Sequence, residues 1–206
     1  MTETKKTVRI SEPNLKTAIF NIEGISPFVQ LRFSEKSKGE ILAKHMAGSQ
    51  AKKGGRKKAK DPDALFEGAM YKVREGWRGI PTSSFRNALI SACRLVDFKM
   101  TIAKLAFFIE PDGFDAEDGT PLVKITGEPR LHIGHVRNAT GVIDLRVRAM
   151  WENWSAQLRV TYDADLFNET DIANLLAKAG LQVGVGEGRP DSKKSAGMGW
   201  GQFKVR

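Results

Sequence analysis

Cysteine, histidine and long apolar runs are scarce in this chain of 206 residues, and each scarcity excludes a class of protein. A single cysteine, Cys93, excludes an internal disulfide framework and fits a reducing cytoplasm. No apolar run approaches the length that spans a membrane, and no apolar segment follows the N-terminal Met-Thr-Glu-Thr-Lys-Lys. We therefore expect a soluble, cytoplasmic protein that has no signal peptide and no membrane partner.

Motifs that would hold a metal ion or a nucleotide are also missing. The three histidines, His45, His132 and His135, have no convincing second pair of metal ligands, and the sequence contains no zinc pattern. The segment Gly-Val-Gly-Glu-Gly lacks the Gly-Lys-Ser/Thr of a nucleotide-phosphate loop, and no βαβ unit follows it. We predict that the protein binds no metal and no cofactor.

The formal net charge of +9 is concentrated in one segment. Residues 36–60 contain nine lysines or arginines and one acid, Glu40, which leaves this segment with a net charge of +8. Such a local excess favours a polyanion as partner, with nucleic acid ahead of a membrane, whereas the alternative is a solubilising loop without a ligand. The candidate phosphate contacts in it are Lys44, Lys52, Lys53, Arg56, Lys57 and Lys58.

Apolar residues alternate with polar ones over several stretches, and this period of two predicts β-strands. The clearest case is 142–151, where Ile143, Leu145 and Val147 alternate with charged residues. A final strand is expected to end at Val205. The other predicted strands or extended segments cover 16–33, 70–73, 104–110, 123–126, 130–137 and 154–162.

Helical spacing of apolar residues predicts two principal helices. Thr82 or Ser83 is expected to cap the first, whose apolar face contains Cys93 as a small core residue. Thr170 is expected to cap the second, and Gly180 to end it. Shorter helices are predicted over 41–50 and 61–70.

Reduced to its core, this order is β-α-β-β-α-β, so the predicted class is α+β with the ferredoxin-like arrangement that RNA-recognition modules share. We predict a single domain over 1–206 with two insertions. Residues 34–63 form a basic, mobile insertion, and residues 111–151 form a β-rich insertion that contains a hairpin.

Two short motifs resemble those of the RAMP superfamily, which includes the subunits that line guide RNA in CRISPR effector complexes. Gly-Ile-Pro-Thr-Ser-Ser-Phe-Arg-Asn-Ala-Leu, residues 79–89, resembles the start of a RAMP helix. Seven of the twenty glycines lie between Gly180 and Gly201, in a stretch that resembles the RAMP glycine-rich loop. The chain also resembles small phage proteins with a similar C-terminal pattern. Thr82 and Asn87 replace glycines of the family pattern, and residues 189–194 interrupt the loop.

The resemblance implies that the helix start and the glycine-rich loop lie close together and form two sides of a strand-binding groove. Glycine lets backbone approach a ligand, and exposed amides beside cations suit phosphates. The candidate contacts are Ser83, Ser84 and Arg86 at the helix, and Gly186, Gly188, Arg189, Lys193 and Lys194 in the loop. The alternatives are plain capping by the two serines and a salt bridge from Arg189 to Glu187 or Asp191.

Tryptophans and a second group of cations complete the candidate set. Trp77 lies beside Arg78 in a glycine-flanked turn and is the best candidate for stacking on a base, ahead of Trp151. Trp154 and Trp200 are expected to be buried. Arg130, His132, Arg137, Arg146 and Arg148 can share one face of paired strands, and the alternative is a solvated face balanced by Asp144 and Glu128.

The function predicted from these features is sequence-nonspecific binding of single-stranded nucleic acid, without catalysis. RNA is favoured over DNA by the resemblance alone, which also implies homo-oligomers or filaments along the strand in the cytoplasm, that of a bacterial host if the protein is phage-encoded. The alternatives are a metal-independent endoribonuclease of the same fold, and a phage protein that mimics a CRISPR backbone subunit.

Overall fold

The computed structural model describes residues 11–33, 39, 42–43, 45–46, 61–137, 141, 143–192 and 197–206. For Val136, Arg137 and Asp144 it describes the backbone alone. The predicted α+β class is confirmed, because four α-helices and antiparallel sheets occur in these residues. The predicted helix over 41–50 and the basic segment fall largely outside them.

Eleven strands and four helices make up the described part of the chain. The strands are β1 Leu15–Gly24, β2 Phe28–Gln30, β3 Tyr71–Lys72, β4 Arg78–Pro81, β5 Phe107–Glu110, β6 Gly113–Phe114, β7 Pro121–Thr126, β8 Pro129–Arg137, β9 Ile143–Trp151, β10 Ser155–Asp163 and β11 Phe203–Val205. The helices are α1 Pro62–Gly68, α2 Thr82–Ala92, α3 Met100–Ala106 and α4 Glu169–Lys178.

The main sheet is built around β1 and β10, which pair antiparallel along their whole length. Its strand order is β11-β1-β10-β7-β4-β3, and β5 also pairs with β10 while β6 pairs with β7. Alternation places one set of side chains on the inner face. On that face Phe20 lies opposite Leu158, and Ala18 lies opposite Val160, and all four are buried.

Helices α2 and α4 cover the inner face of this sheet and close the core. Phe85 and Leu89 of α2, with Ile172 and Leu176 of α4, are at most 1% exposed. Phe203 of β11 packs edge-on against the ring of Phe85, with 6.0 Å between ring centroids. The glycine-rich loop therefore starts at one core helix and ends in a core strand.

A second sheet, of order β2-β9-β8, stands beside the first. Its base is buried: Trp151 packs against Phe28, with ring centroids 5.4 Å apart, and both side chains are at most 1% exposed. The predicted β-rich insertion is thereby divided. Strand β7 joins the main sheet between β10 and β4, whereas β8 and β9 form a long hairpin in the second sheet.

Helix boundaries differ from the sequence prediction at three places. Pro81 stands at the N-cap of α2, and no side chain caps this helix, so the prediction of Thr82 or Ser83 as cap was wrong. Asn168, not Thr170, caps α4 through a reciprocal capping box with Asp171. Helix α4 ends at Lys178 and continues as a π-helical turn, and it is Gly184 that has the positive φ of 71°.

The strand predicted over 104–110 begins only at Phe107, because Met100–Ala106 is helix α3. Ala103 and Ala106 of this short helix are fully buried, whereas Leu105 is 76% exposed. The apolar run that was predicted as one strand therefore covers the end of helix α3 and the whole of strand β5. Cys93 is buried as predicted, and burial raises the pKa of its thiol to about 11, so the thiol stays protonated.

Arg32 is fixed at the point where the chain enters the basic segment. Its side chain is 4% exposed and pairs with Asp115 at 2.6 Å and Glu117 at 2.8 Å. Its guanidinium also lies over the ring of Tyr71, 5.1 Å from the centroid. Asp115 accepts further hydrogen bonds from the backbone N–H groups of Lys72 and Glu117. This cluster, which we call the Arg32 clamp, ties β2 to the turn before β7.

Candidate nucleic-acid interface

A groove of about 440 Å³ lies between α2, the end of β2 and the start of the glycine-rich loop. Ser83 and Ser84 line one side, and Gly186 and Arg189 line the other, so the predicted helix start and glycine-rich loop do meet. Arg146 reaches it from the hairpin β8–β9. The main sheet positions α2, the second sheet positions Arg146, and the loop joins the two.

The first turn of α2 offers backbone N–H groups to this groove. Pro81 cannot cap with a side chain, and neither Ser83 nor Ser84 makes the N-terminal hydrogen bond that the capping alternative required. Ser83 is exposed and Ser84 is half-buried, and both line the groove. An uncapped helix start carries a partial positive charge that favours an anion.

The glycine-rich loop adopts its path because of close packing against other parts of the chain. Gly186 and Gly188 have φ values of 81° and 72°, which L-residues rarely adopt. A Cβ at Gly186 would lie 2.6 Å from the carbonyl oxygen of Val29, and one at Gly188 would lie 2.6 Å from the ring of Trp200. These glycines therefore serve the approach of backbone to protein, whereas the sequence suggested an approach to ligand.

Many backbone N–H groups of the loop already have acceptors inside the protein. Glu187 donates to the carbonyl of Val29 at 2.9 Å, and Gly184 donates to that of Ala179 at 2.8 Å. The other loop residues whose N–H groups donate internally are Val185, Asp191, Met198, Trp200 and Gly201. The amide cradle expected from the sequence is correspondingly small, and cationic side chains must supply more of any phosphate binding.

Two arginines line the groove without a carboxylate partner among the described residues. Arg189 donates to the carbonyl oxygen of Gly186 at 3.2 Å and pairs with neither Glu187 nor Asp191, so the predicted alternative of a salt bridge was wrong. Arg146 is exposed and makes no ion pair within the described part of the chain. Both arginines therefore bring positive charge to the groove.

Arg148 has a different environment from Arg146, although both are on β9. Its side chain is 6% exposed, and its Nη2 donates to Oε1 of Glu187 at 2.7 Å. His132 lies opposite Arg148 in the ladder, and the His132 ring packs edge-on against Trp200 at 5.5 Å. Burial, followed by the charges of Arg148 and Arg130, lowers the pKa of His132. This group docks the hairpin onto the glycine-rich loop.

The basic stripe predicted on the hairpin is only partly on one face. Arg130, His132, Arg146 and Arg148 occupy one set of alternating positions in the β8–β9 register. Arg137 pairs with Ile143 and belongs by its register to the opposite set, so the prediction of one shared face was wrong for this residue. Arg130 is exposed and pairs with Glu152 at 2.7 Å.

Arg86, Trp77 and Arg78 are placed away from the groove. The guanidinium of Arg86 donates to the carbonyls of Phe107 and Lys104 and lies over the ring of Phe108, at 4.8 Å from the centroid. It holds α2 against α3 and β5 and does not line the groove, so the structure does not bring it together with Ser83 and Ser84 as predicted.

Two of the four tryptophans, Trp151 and Trp154, are in the core, and the other two are half-buried. Trp77 is half-buried, with its ring against Gly113, and its neighbour Arg78 lies 3.8 Å from Glu128. Trp151 is fully buried, so its candidacy for base stacking was wrong. Trp154 is 3% exposed, as expected, whereas Trp200 is half-buried.

Several candidate residues lie outside the described residues, and their predicted roles stay predictions. They are Lys44, Lys52, Lys53, Arg56, Lys57, Lys58, Lys193 and Lys194. Conversely, sequence reasoning missed Asn87, Ser91 and Glu187, which line the groove. The first two recur at helical spacing from Ser84, and this polar face of α2 was the available signal.

No protein-family model matches the chain, and no curated protein matches it significantly. Across the described ranges, no group of three or more His, Cys, Asp or Glu side chains is arranged to hold a metal ion. No helix in the described part of the chain is long and apolar enough to cross a membrane.

Proposed function

We propose that the protein binds single-stranded nucleic acid through its phosphates, in the groove between α2 and the glycine-rich loop. One observation carries this proposal: Arg146 and Arg189, from two different elements, line the same groove as the uncapped start of α2. Cations on several sides and free amides at one end suit a chain of phosphates. Contacts of this kind hold a backbone without reading its sequence.

The lining residues favour binding over catalysis. Glu187 is the one carboxylate among the described residues that line the groove, and it is paired with Arg148. No histidine or cysteine of the described ranges lines it. General acid–base cleavage of RNA needs a proton donor and acceptor close to the phosphate, and this lining supplies no pair of such groups.

The proposed fold is the ferredoxin-like arrangement, and the proposed relationship is to the RAMP superfamily. In support, β1, β5, β10 and β11 with helices α2 and α4 follow the order β-α-β-β-α-β. Within the main sheet these four strands are adjacent as β11-β1-β10-β5, all antiparallel. The glycine-rich loop follows the second core helix and precedes the last strand, as the resemblance requires.

The outer face of the main sheet is a poor alternative surface for bases. It carries a hydrogen-bonded group of Thr17, Thr161, Glu110 and Arg159. Phe108 is an exposed ring there, at 41%, and Arg86 lies over it. A sheet that binds RNA stacks two or three bases on aromatic side chains. We therefore assign binding to the groove.

Titration of fluorescently labelled RNA and DNA single strands across a salt series tests the proposal. The wild-type protein should bind at low salt and weaken steeply as salt rises, because counterions are released from the strand. The variant Arg146→Ala with Arg189→Ala should lower the slope of log K against log salt by about 1.4, since each phosphate contact on a single strand contributes about 0.7. Absence of binding by the wild type at low salt would overturn the proposal.

Arg130→Ala is the matched control, because Arg130 is on the same hairpin but pairs with Glu152 outside the groove. It should leave the slope nearly unchanged. Incubating RNA with the protein in a chelator should leave the RNA intact, and cleavage products would favour the endoribonuclease instead. Sizing the protein with and without a long oligonucleotide tests assembly along the strand, and deletion of 51–60 tests the role predicted for the basic segment.

A further inference from the structure

We propose that the carboxylate of Glu187 occupies, in the free protein, a subsite of the groove that a phosphate takes when a strand binds. Phosphate binding at Arg148 would then require exchange for Glu187. The inference rests on the proposed function of the groove, and it identifies the side chain that controls one phosphate position in it.

The Arg148–Glu187 pair is incompletely bonded. Nη2 of Arg148 donates to Oε1 of Glu187 at 2.7 Å, but Nε of Arg148 and Oε2 of Glu187 are both buried without a hydrogen-bond partner. Arginine and a carboxylate bind most strongly through two parallel hydrogen bonds. This pair makes one, and a buried polar atom without a hydrogen-bond partner is destabilising. The contact is therefore easier to replace than a bidentate one.

A phosphate suits the position better than the carboxylate does. Its oxygens can accept from both Nη2 and Nε of a guanidinium, and a further oxygen remains for another cation. Arg146 is two residues away on the same face of β9, and Arg189 follows Glu187 in the loop, and both line the groove. His132 lies opposite Arg148 in the β8–β9 ladder; burial, followed by the charges of Arg148 and Arg130, lowers the pKa of His132.

The exchange needs only side-chain rotation. The N–H of Glu187 is held by the carbonyl of Val29 at 2.9 Å, and the flanking Gly186 and Gly188 are packed at positive φ. The backbone is thus fixed, whereas the Glu187 side chain is 30% exposed and has a path to water. Rotation about its own torsions would free Nη2 of Arg148, whose side chain is 6% exposed.

Asp191 provides a matched control within the same loop. It also pairs with an arginine, Arg94, at 2.6 Å, but both side chains are more exposed, at 35% and 53%. Neither is among the residues that line the groove. Glu187→Gln and Asp191→Asn each remove one negative charge from the loop, and only the first removes the proposed competitor.

Affinity for a labelled 20-nucleotide RNA single strand at fixed salt distinguishes the two variants. Glu187→Gln should bind about tenfold more tightly than wild type, a change of about 1.4 kcal/mol, whereas Asp191→Asn should change affinity by less than about threefold. Adding Arg148→Gln to Glu187→Gln should abolish the gain. Equal tightening in both single variants, or none in Glu187→Gln, would overturn the inference. Unfolding midpoints in urea confirm that each variant is folded.

A second readout separates this inference from the proposed function. Inorganic pyrophosphate is titrated while the Arg148 Nε–H resonance is followed by NMR in wild type and Glu187→Gln. The resonance should shift at a lower pyrophosphate concentration in the variant, and a shift in neither protein would overturn the inference. If no variant binds the RNA at low salt while the resonance still shifts, the proposed function fails and the anion subsite stands.

Discussion

Arg32 and Arg148 are buried to the same degree, at 4% and 6% side-chain exposure, in opposite electrostatic surroundings. Arg32 lies within 4 Å of three carboxylates, those of Asp115, Glu117 and Asp118. Among the described residues Arg148 pairs with one, Glu187, and the charges of Arg148 and Arg130 both act on His132. An arginine that has more carboxylates than cations around it is held in place. An arginine that has one carboxylate and further cations around it still attracts an anion. Burial alone does not distinguish the two roles.

The largest expected effect is on stability, when each arginine is replaced by methionine. Arg32→Met should lower the free energy of unfolding by about 3–5 kcal/mol, because it leaves Asp115 as a buried carboxylate without its cation. Arg148→Met should cost only about 1–2 kcal/mol, since Glu187 can turn to water. Urea denaturation of the two variants measures this. Equal losses would show that the two surroundings are energetically alike.

Gly188→Ala tests whether the backbone of the glycine-rich loop around Glu187 is as tightly packed as the contacts of Gly188 indicate. Positive φ costs an L-residue about 1–2 kcal/mol, and the new methyl group would press on Trp200, so we expect a loss of about 2–3 kcal/mol. Gly119→Ala is the control, because Gly119 also has a positive φ, of 70°, but open space around it. Its loss should be about 1 kcal/mol. Similar unfolding free energies for the two variants would contradict a tightly packed loop.

The N-termini of α2 and α4 offer a second comparison, because a side chain caps α4 and no side chain caps α2. Asn168→Ala should cost about 1 kcal/mol, because it removes a capping box from α4. Ser83→Ala should change stability by less than about 0.5 kcal/mol, since no side chain caps α2. Thermal or urea unfolding measures both. A loss of 1 kcal/mol in Ser83→Ala would mean that the serine caps the helix and is not free for a ligand.

The smallest effect concerns pH, through His132 beside Arg148. The pKa of His132 is lowered from 6.5 by burial, then by Arg148 and Arg130, while Glu187 raises it. The unfolded chain therefore binds the proton more readily, and stability is expected to fall as pH drops through 6.5. In His132→Asn the unfolding free energy should depend less on pH between 8 and 5.5. An unchanged pH dependence would argue against this assignment, with His135→Asn as the exposed control.

The strands of the hairpin and the two core helices could be read from the sequence, because alternation and helical spacing report one-sided burial. Cys93 was assigned to the core for the same reason. The cap of α4 was missed although Asn168 and Asp171 have the spacing of a capping box, because Thr170 is an equally good local candidate. The end of helix α3 was read as part of a strand, because residues 105–109 are apolar throughout and carry no clear period.

Some features of the candidate site could likewise be predicted before the structure was known, and others could not. Only the family resemblance implied that Ser83, Ser84 and Arg189 share one groove, and the structure brings them together there. The sequence could not show that Arg86 donates to the carbonyls of Lys104 and Phe107, or that Trp151 is buried. Those outcomes depend on which elements pack together, which local patterns do not record.

The sequence by itself determined the α+β class, most of the strands, the concentration of positive charge and the glycine-rich loop, since each follows from composition or from a period along the chain. The tertiary structure decided which cations are paired with carboxylates and which remain free to bind an anion. Arg146 and Arg148 are both in β9, and Arg32 follows β2 by two residues. The three are the same residue type, and what separates their roles is which side chains lie near them in space. Three carboxylates fix the first, one covers the second, and none among the described residues pairs with the third. The physical reason is that electrostatic interaction depends on distance through the folded protein, which the linear sequence does not contain.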